Sequence, residues 1–428
     1  MATLAPPSIL PFSSKSASTK STCPLSSSDS SPFGANSAAG DDNLDHPIGF
    51  GSFGVVWAVT NPRTGRQVAL KKMTHVFDTL VASKRVLREL RMLFFFENEN
   101  VLGAIDIVKP LSSLFDEVYV ITELMDTDLH RIIVSASPLT ESHVKLFLYQ
   151  ILRGMRYLHS AGILHRDLKP GNLLVNGNSL LKICDFGLAR MADPDPSIYM
   201  TQEVVTQYYR APELLVGSPH YDAAIDVWSI GCIFAEMLGR EILFQAPAPM
   251  LQVEKILDLV GTPTEEELSH ANACPEAKAH VLSQKKESCM SKLYNLSSNA
   301  THEAVHLLCQ FLVFDPTKRI SCADALSHPY LDEGGLYYHN TLCSCCRTSR
   351  GVRFYSKNLE PASRYLFDST YEDNLAYISS VRSELHRLIM EVNPNENPLY
   401  INPESTVFGC FTRSVPGKSP DFFQASTT

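Results

Sequence analysis

The sequence predicts an α+β fold of two unequal lobes, and three observations carry that prediction. Between residue 44 and about 125, short β-branched runs alternate with turn signals, as in a small sheet. From about 139 the apolar spacing becomes that of long amphipathic helices. The 428 residues, 44% hydrophobic and 19% charged, suffice for a large buried core.

Taken in order, residues 1–43 are rich in Ser, Pro, Ala and Thr, with few aromatics. Such a segment cannot bury enough apolar surface to offset its chain entropy, so a disordered tail is expected. GVVWAVT and QVALKK, separated by NPRTGR, read as two strands joined by a turn. FDTLVASKRVLRELRMLFFF reads as one long helix and VYVITEL as a further strand. In the second lobe ESHVKLFLYQILRGMRYLHSAG is a strongly amphipathic helix stopped at Gly162. IDVWSIGCIFAEMLG, MLQVEKILDLVG and THEAVHLLCQFLVF continue the helical pattern. After about 335 the pattern is irregular, apart from a helix expected at NLAYISSVRSELHRLIMEV.

Charge and composition exclude several classes. Lys and Arg total 37 against 46 Asp and Glu, a net charge of −9. The basic surplus that non-specific nucleic-acid binding relies on is missing, so no direct nucleic-acid partner is expected. No stretch approaches the ~20 apolar residues that span a bilayer, and the first residues lack an apolar core of signal-peptide length. The 11 cysteines, an odd number scattered mostly singly, fit reduced thiols in the cytosol or nucleus.

The chemistry-bearing motifs begin with Ile48-Gly49-Phe50-Gly51-Ser52-Phe53-Gly54-Val55-Val56, a GxGxxGxV run opening a strand. Glycines let a hairpin approach phosphates closely and present backbone N–H donors. Alone the run also marks dinucleotide-binding folds, but those place a helix straight after the glycines. Here a strand follows, then Val68-Ala69-Leu70-Lys71. Glu89 sits on the next helix, where an ion pair with Lys71 would aim the lysine at phosphates. Phosphoryl transfer needs a carboxylate near the attacking hydroxyl, an amide oxygen for metal and a cation near the moving group. Asp167, Asn172 and Lys169 of HRDLKPGN supply these within six residues. Thirteen positions past Asn172, Asp185 of Asp-Phe-Gly adds a second hard oxygen ligand suited to Mg²⁺.

On these motifs the chain resembles a eukaryotic protein kinase from 44 to 335, with a small lobe at about 44–125, a large lobe at about 126–335 and a partly structured extension over 336–428. The resemblance implies the bilobal kinase fold, ATP and Mg²⁺ as cofactors, and a buried pair between Glu213 of Ala-Pro-Glu and Arg319. HRDLKPGN, with Lys two positions after Asp, is the Ser/Thr form. KRVLREL, TDLH, LKICDFGLAR, GTP and HPYL are similar to the mitogen-activated protein kinase group, and Thr201-Gln202-Glu203 with the tail LDEGG…YH…CSCC looks like its Nemo-like branch.

Carried over residue by residue, the resemblance puts Ile48, Val56, Ala69 and Leu174 around adenine, Thr122 at the gatekeeper position, and Glu123 and Met125 on the hinge. Leu93, His165 and Phe186 match a packed regulatory spine. Thr201 is the phosphorylation candidate, by an upstream kinase or by autophosphorylation, with Arg88, Arg166 and Arg190 as its phosphate pocket. Glu203 stands where the group has a second phosphorylated residue, and Gln207 where it has that residue's arginine. Expected substrates are proline-directed sites on transcription regulators of the T-cell factor/lymphoid enhancer factor kind, in Wnt and Notch-type signalling. The expected location is nucleus and cytoplasm, and a homodimer is compatible with the resemblance. The rival readings are a pseudokinase scaffold, which usually lacks the strand Lys or a catalytic Asp, and a cyclin-dependent type, whose helix motif is replaced here by SKRVLREL.

Three features stand apart. Cys184 precedes Asp185 and reads either as an alkylatable pocket thiol or as a small buried spacer. Asp332 and Glu333 supply only part of the group's acidic docking cluster. Cys343-Ser344-Cys345-Cys346 with His339 offers metal-binding residue types, in a spacing that fits no common structural zinc site.

Overall fold

The computed structural model describes residues 45–51, 54–60, 65–110, 112–192, 207–346, 360 and 362–392. The 1–43 tail, Ser52, Phe53, Thr201 and Glu203 lie outside these residues. The small lobe is an antiparallel sheet of β1 (His46–Gly51), β2 (Gly54–Thr60), β3 (Gln67–Met73), β4 (Ala104–Ile107) and β5 (Val118–Glu123), in the order β1-β2-β3-β5-β4. Helix α1 (Leu80–Phe95) joins β3 to β4.

Period-two alternation sorts the sheet into two faces. Val55, Trp57 and Val59 pack with Leu70 and Ile121 on one of them. The register pairs Val56 with Lys71, Ala69 with Thr122 and Lys71 with Val120, so Val56, Ala69, Lys71 and Thr122 share the other. Gly54 makes the β1–β2 hairpin possible: its φ is 152°, and a Cβ there would lie 1.9 Å from the Lys72 carbonyl oxygen.

Helix α1 starts three residues later than the apolar pattern predicts, because Thr79 caps it by accepting from the Ala82 amide at 3.1 Å. Phe77, left outside the helix, packs edge-on against Phe115.

The large lobe opens with β6 (Thr127–Asp128), α2 (Leu129–Val134) and the 20-residue α3 (Glu141–Ser160), followed by β7 (Ile163–Leu164), β8 (Leu173–Val175), β9 (Leu181–Ile183) and β10 (Arg190–Met191). Then come α4 (Pro212–Leu215), α5 (Ala224–Gly239), α6 (Pro249–Val260), α7 (Glu265–His270), α8 (Pro275–Ser283), α9 (His302–Phe311), α10 (Cys322–Ala325), α11 (Asp332–Thr341) and α12 (Ile378–Val392). Helix α5 is buried from Ile225 to Leu238, as its all-round apolar character requires. Among the described residues no helix is long and apolar enough to cross a membrane.

The expected large-lobe pair is present: Arg319 donates to Glu213 at 2.8 and 3.1 Å, with both side chains buried.

Helix α11 runs across residue 335, where the sequence pattern turns irregular. It lies close on α3 because Gly334 and Gly335 have no side chain: a Cβ on Gly334 would stand 2.6 Å from the Lys145 carbonyl oxygen. Beyond it the chain returns to the small lobe, where α12 packs along α1.

Candidate active site

Three segments meet in the cleft between the lobes. From the sheet, Lys71 of β3 reaches Glu89 of α1 at 2.5 Å. Burial alone would lower the Lys71 ammonium, but the carboxylates of Glu89 and Asp185 outweigh it and raise its pKa, so the lysine stays charged. Arg85, one turn before Glu89, donates to the Gly187 carbonyl at 2.6 Å and so ties α1 to the segment that carries Asp185.

From the catalytic loop, Lys169 Nζ lies 2.7 Å from Asp167 Oδ2. Asn172 Nδ2 donates to the Asp167 carbonyl at 2.8 Å and to its carboxylate at 3.2 Å. This commits the Asn172 nitrogen to the protein and leaves its oxygen as a donor for a hard cation, in keeping with Asp185 as the second ligand. Arg166 and Asp185 adopt positive φ values of 70° and 66°, backbone states that need support from outside the loop. For Arg166 the fully buried carboxylate of Asp226 supplies it, accepting from the His165 amide at 2.9 Å and the Arg166 amide at 2.8 Å. His159 contacts the same carboxylate at 3.0 Å. Burial would raise the Asp226 pKa, but His159, with His165 and the Arg166 amide, more than reverses this.

Behind the loop, His165 and Phe186 rings meet edge to face at 5.4 Å, and Phe186 also packs on Phe96 at 4.5 Å. Phe96 thus joins this stack; its position just past the end of α1 gives no signal in the sequence.

Of the expected nucleotide-side residues, Ile48 and Gly49 stand on β1, Val56 on β2, Ala69 on β3, Thr122 and Glu123 on β5, and Leu174 on β8, with Met125 just beyond β5. The backbones of Phe50 and Gly51 complete β1. Val55 corrects the sequence reading: its side chain is buried against Trp57 on the opposite face, because alternation turns it away from the face that Lys71 shares. The Glu123 side chain reaches Lys182 at 2.7 Å. Burial pushes the Cys184 thiol up, with Asp185 adding to it, which favours the inert spacer over the alkylatable thiol.

The expected phosphate pocket is only partly assembled. Arg166 and Arg190 both act on Tyr221, with the Arg166 guanidinium 5.7 Å from its ring centre. Arg88 holds Glu372 of the C-terminal extension through two hydrogen bonds of 2.6 and 2.5 Å. Its neighbour Arg91 pairs with Glu384 and stacks on Tyr371 at 4.0 Å. Gln207 donates to the Ala246 carbonyl at 2.5 Å and is thereby fixed to the large lobe. Glu333 is held by Lys145 at 2.9 Å.

Comparison with known proteins adds an independent line. Residues 43–331 match the protein kinase domain. The chain is 56% identical over 395 residues to serine/threonine-protein kinase NLK2 of Xenopus tropicalis, covering 92% of this chain and 87% of that protein. It is 50% identical over 383 residues to serine/threonine kinase NLK of Caenorhabditis elegans, covering 87% of this chain and 60% of that protein. Identity to mitogen-activated protein kinase 7 of Arabidopsis thaliana is 49% over 286 residues, covering 67% and 77% of the two chains.

Proposed function

Starting from the fact that this chain belongs to the protein kinase family, as a serine/threonine kinase of the NLK type, we propose that it transfers the γ-phosphoryl group of MgATP to Ser or Thr followed by Pro in transcription regulators. The observation that carries the reading is the joined set Asp167–Lys169–Asn172 together with the Lys71–Glu89 pair.

Asp167 accepts the proton of the substrate hydroxyl, and Lys169 keeps a positive charge beside it, where negative charge gathers on the transferring group. Lys71, oriented by Glu89, grips the α- and β-phosphates. Val56, Ala69 and Leu174 close on the adenine, and the backbone around Glu123 and Met125 meets its edge. Asn172 and Asp185 are the metal ligands; bound Mg²⁺ supplies neutralisation of the phosphate oxygens. Asp226 holds the loop's strained backbone, so the positions of Asp167 and Asn172 are set before substrate arrives.

Activation runs through phosphorylation of Thr201, whose phosphate is received by Arg166 and Arg190 and draws Arg88 from Glu372. A phosphate carries nearly two charges where Glu372 carries one, which favours the exchange. Action in nucleus and cytoplasm, T-cell factor/lymphoid enhancer factor substrates and a homodimeric state complete the proposal.

The test is γ-phosphate transfer to paired Ser-Pro and Ser-Ala, Thr-Pro and Thr-Ala peptides, with Asp167→Asn as control. Transfer confined to the Pro peptides, and lowered by about 10²-fold or more in the control, is expected. Transfer indifferent to Pro would remove the proline-directed reading, and undiminished transfer by the control would remove the catalytic assignment. Thr201→Ala should strongly lower kcat, and Glu203→Gln should lower it less; a Thr201→Ala enzyme as active as the parent would sink the switch.

A further inference from the structure

The sequence spacing of His339, Cys343, Cys345 and Cys346 matches no familiar metal site, yet the fold gathers all four. Nδ1 of His339 and the three sulfurs lie within 4.8 Å of one another. His339 stands in the last turn of α11 and Cys343 follows four residues later, just past the helix end, close to the spacing that stacks two side chains on one helical face. The next turn then brings Cys345 and Cys346 back against the ring. Cys345 Sγ lies 3.8 Å from Cys346 Sγ and 3.8 Å from His339 Nδ1, and Cys346 Sγ lies 3.0 Å from the same nitrogen. Sulfurs 3.8 Å apart are not bonded to each other. Tetrahedral zinc with bonds of about 2.3 Å to sulfur and about 2.0 Å to nitrogen holds its ligands roughly 3.5–3.8 Å apart. From separations of at most 4.8 Å, no pair has to close by more than about 1.3 Å to meet that figure.

The surroundings are those of a ligating histidine. Its other ring nitrogen, Nε2, is 2.6 Å from Glu360 Oε1 and 2.8 Å from the Tyr149 hydroxyl. A carboxylate on the far nitrogen fixes the tautomer with the proton on Nε2 and leaves the Nδ1 lone pair facing the sulfurs. Glu360 is itself held by Arg153 Nε at 2.7 Å, and Arg153 Nη2 lies 3.4 Å from Cys345 Sγ. Three thiolates around a dication leave one net negative charge, and Arg153 stands where it offsets that charge.

We propose that His339, Cys343, Cys345 and Cys346 form a zinc site. Three thiolates and one imidazole select zinc over the hard cations expected in the cleft. On binding, each thiol gives its proton to solvent and the imidazole enters neutral, so no oxidant or reductant is required. Four protein ligands close the coordination sphere, which makes the site structural. It fastens the end of α11 to Glu360 and, through Tyr149 and Arg153, to α3.

The experiment takes the full chain, expressed with zinc and purified without chelator, and measures metal content together with free thiols. About one zinc per chain is expected. Cys345→Ser/Cys346→Ser should lose it, and because Cys345 is exposed and Cys346 half-buried, this variant keeps the fold. Cys289→Ser, outside the cluster, should retain it. Glu360→Gln should bind zinc roughly tenfold more weakly. Cobalt exchanged into the parent should give the thiolate charge-transfer and tetrahedral visible bands, and the double variant should not. Zinc-free parent protein, zinc retained in full by the double variant, a Cys345–Cys346 disulfide in the parent, or an octahedral cobalt spectrum would each overturn the proposal.

Discussion

In the catalytic loop, Asp167, Lys169 and Asn172 meet within six residues of chain, at 2.7–3.2 Å. On the outer side of α1, Arg88 and Glu372 meet across a separation of 284 residues, at 2.5–2.6 Å. The contacts are similar in length and charge, but only the first could be found by spacing. A short constellation carries its geometry in the local backbone. A distant pair depends on where the whole chain returns, and its acid looks on paper like any solvated glutamate. Chemistry therefore sits in the contiguous set, while the distant pairs set the frame that holds it.

That contrast can be broken in four places. The largest effect is expected at the contiguous set: Asp167→Asn should lower phosphoryl transfer by about 10²-fold or more, with an unfolding temperature close to the parent's. A matching loss of stability would mean that the loop is frame as well as chemistry. The reverse is expected for the buried distant pair, where Arg319→Ala strands Glu213 and should cost about 3–5 kcal/mol in denaturant unfolding. Glu372→Gln, at the partly exposed end of the α1 clasp, should cost about 2 kcal/mol. It should also increase the response of kcat to Thr201 phosphorylation, since Arg88 is then easier to recruit. A variant with unchanged stability would show the clasp to be idle.

The fourth test is a pH dependence beneath the loop. Burial opposes the His159 cation, but Cys322 and Asp226 outweigh burial and raise its pKa from 6.5 to about 10. A raised pKa means that the folded state holds the proton more tightly than the unfolded chain. The stabilisation is therefore complete below pH 6.5 and is lost as pH rises through about 10. Unfolding midpoints measured across this window should fall further for the parent than for His159→Gln; parallel curves would remove His159 from the anchor.

The sequence made the scaffold of this site plain because its elements are locally consistent. The strands GVVWAVT and QVALKK and helix α5 lie where their periodicities put them. The start of α1 was misjudged because Phe77 fits the apolar rhythm while the Thr79 cap overrides it. Val55 was assigned to the nucleotide as a member of a motif, although strand alternation sends its side chain to the other face. Phe96 and Glu372 escape a reading by spacing for one reason: each acquires meaning only from a partner that another element supplies. The cysteine cluster is visible as residue types, but its spacing matches no familiar site and only the fold brings the four ligands together. Gln207, read from the sequence only as standing in the place of an arginine, is bound through its amide to the Ala246 carbonyl.

Helix α1 is gripped on both sides, by Lys71 through Glu89 within the cleft and by Glu372 and Glu384 through Arg88 and Arg91 outside it. Residues 43–331 match the kinase domain, yet both outer partners lie beyond residue 331. The piece that can be excised by homology is therefore smaller than the piece that works as a mechanical unit. A fragment trimmed at the homology boundary would keep every catalytic side chain while leaving the outer face of α1, including the apolar groups beneath α12, without its cover.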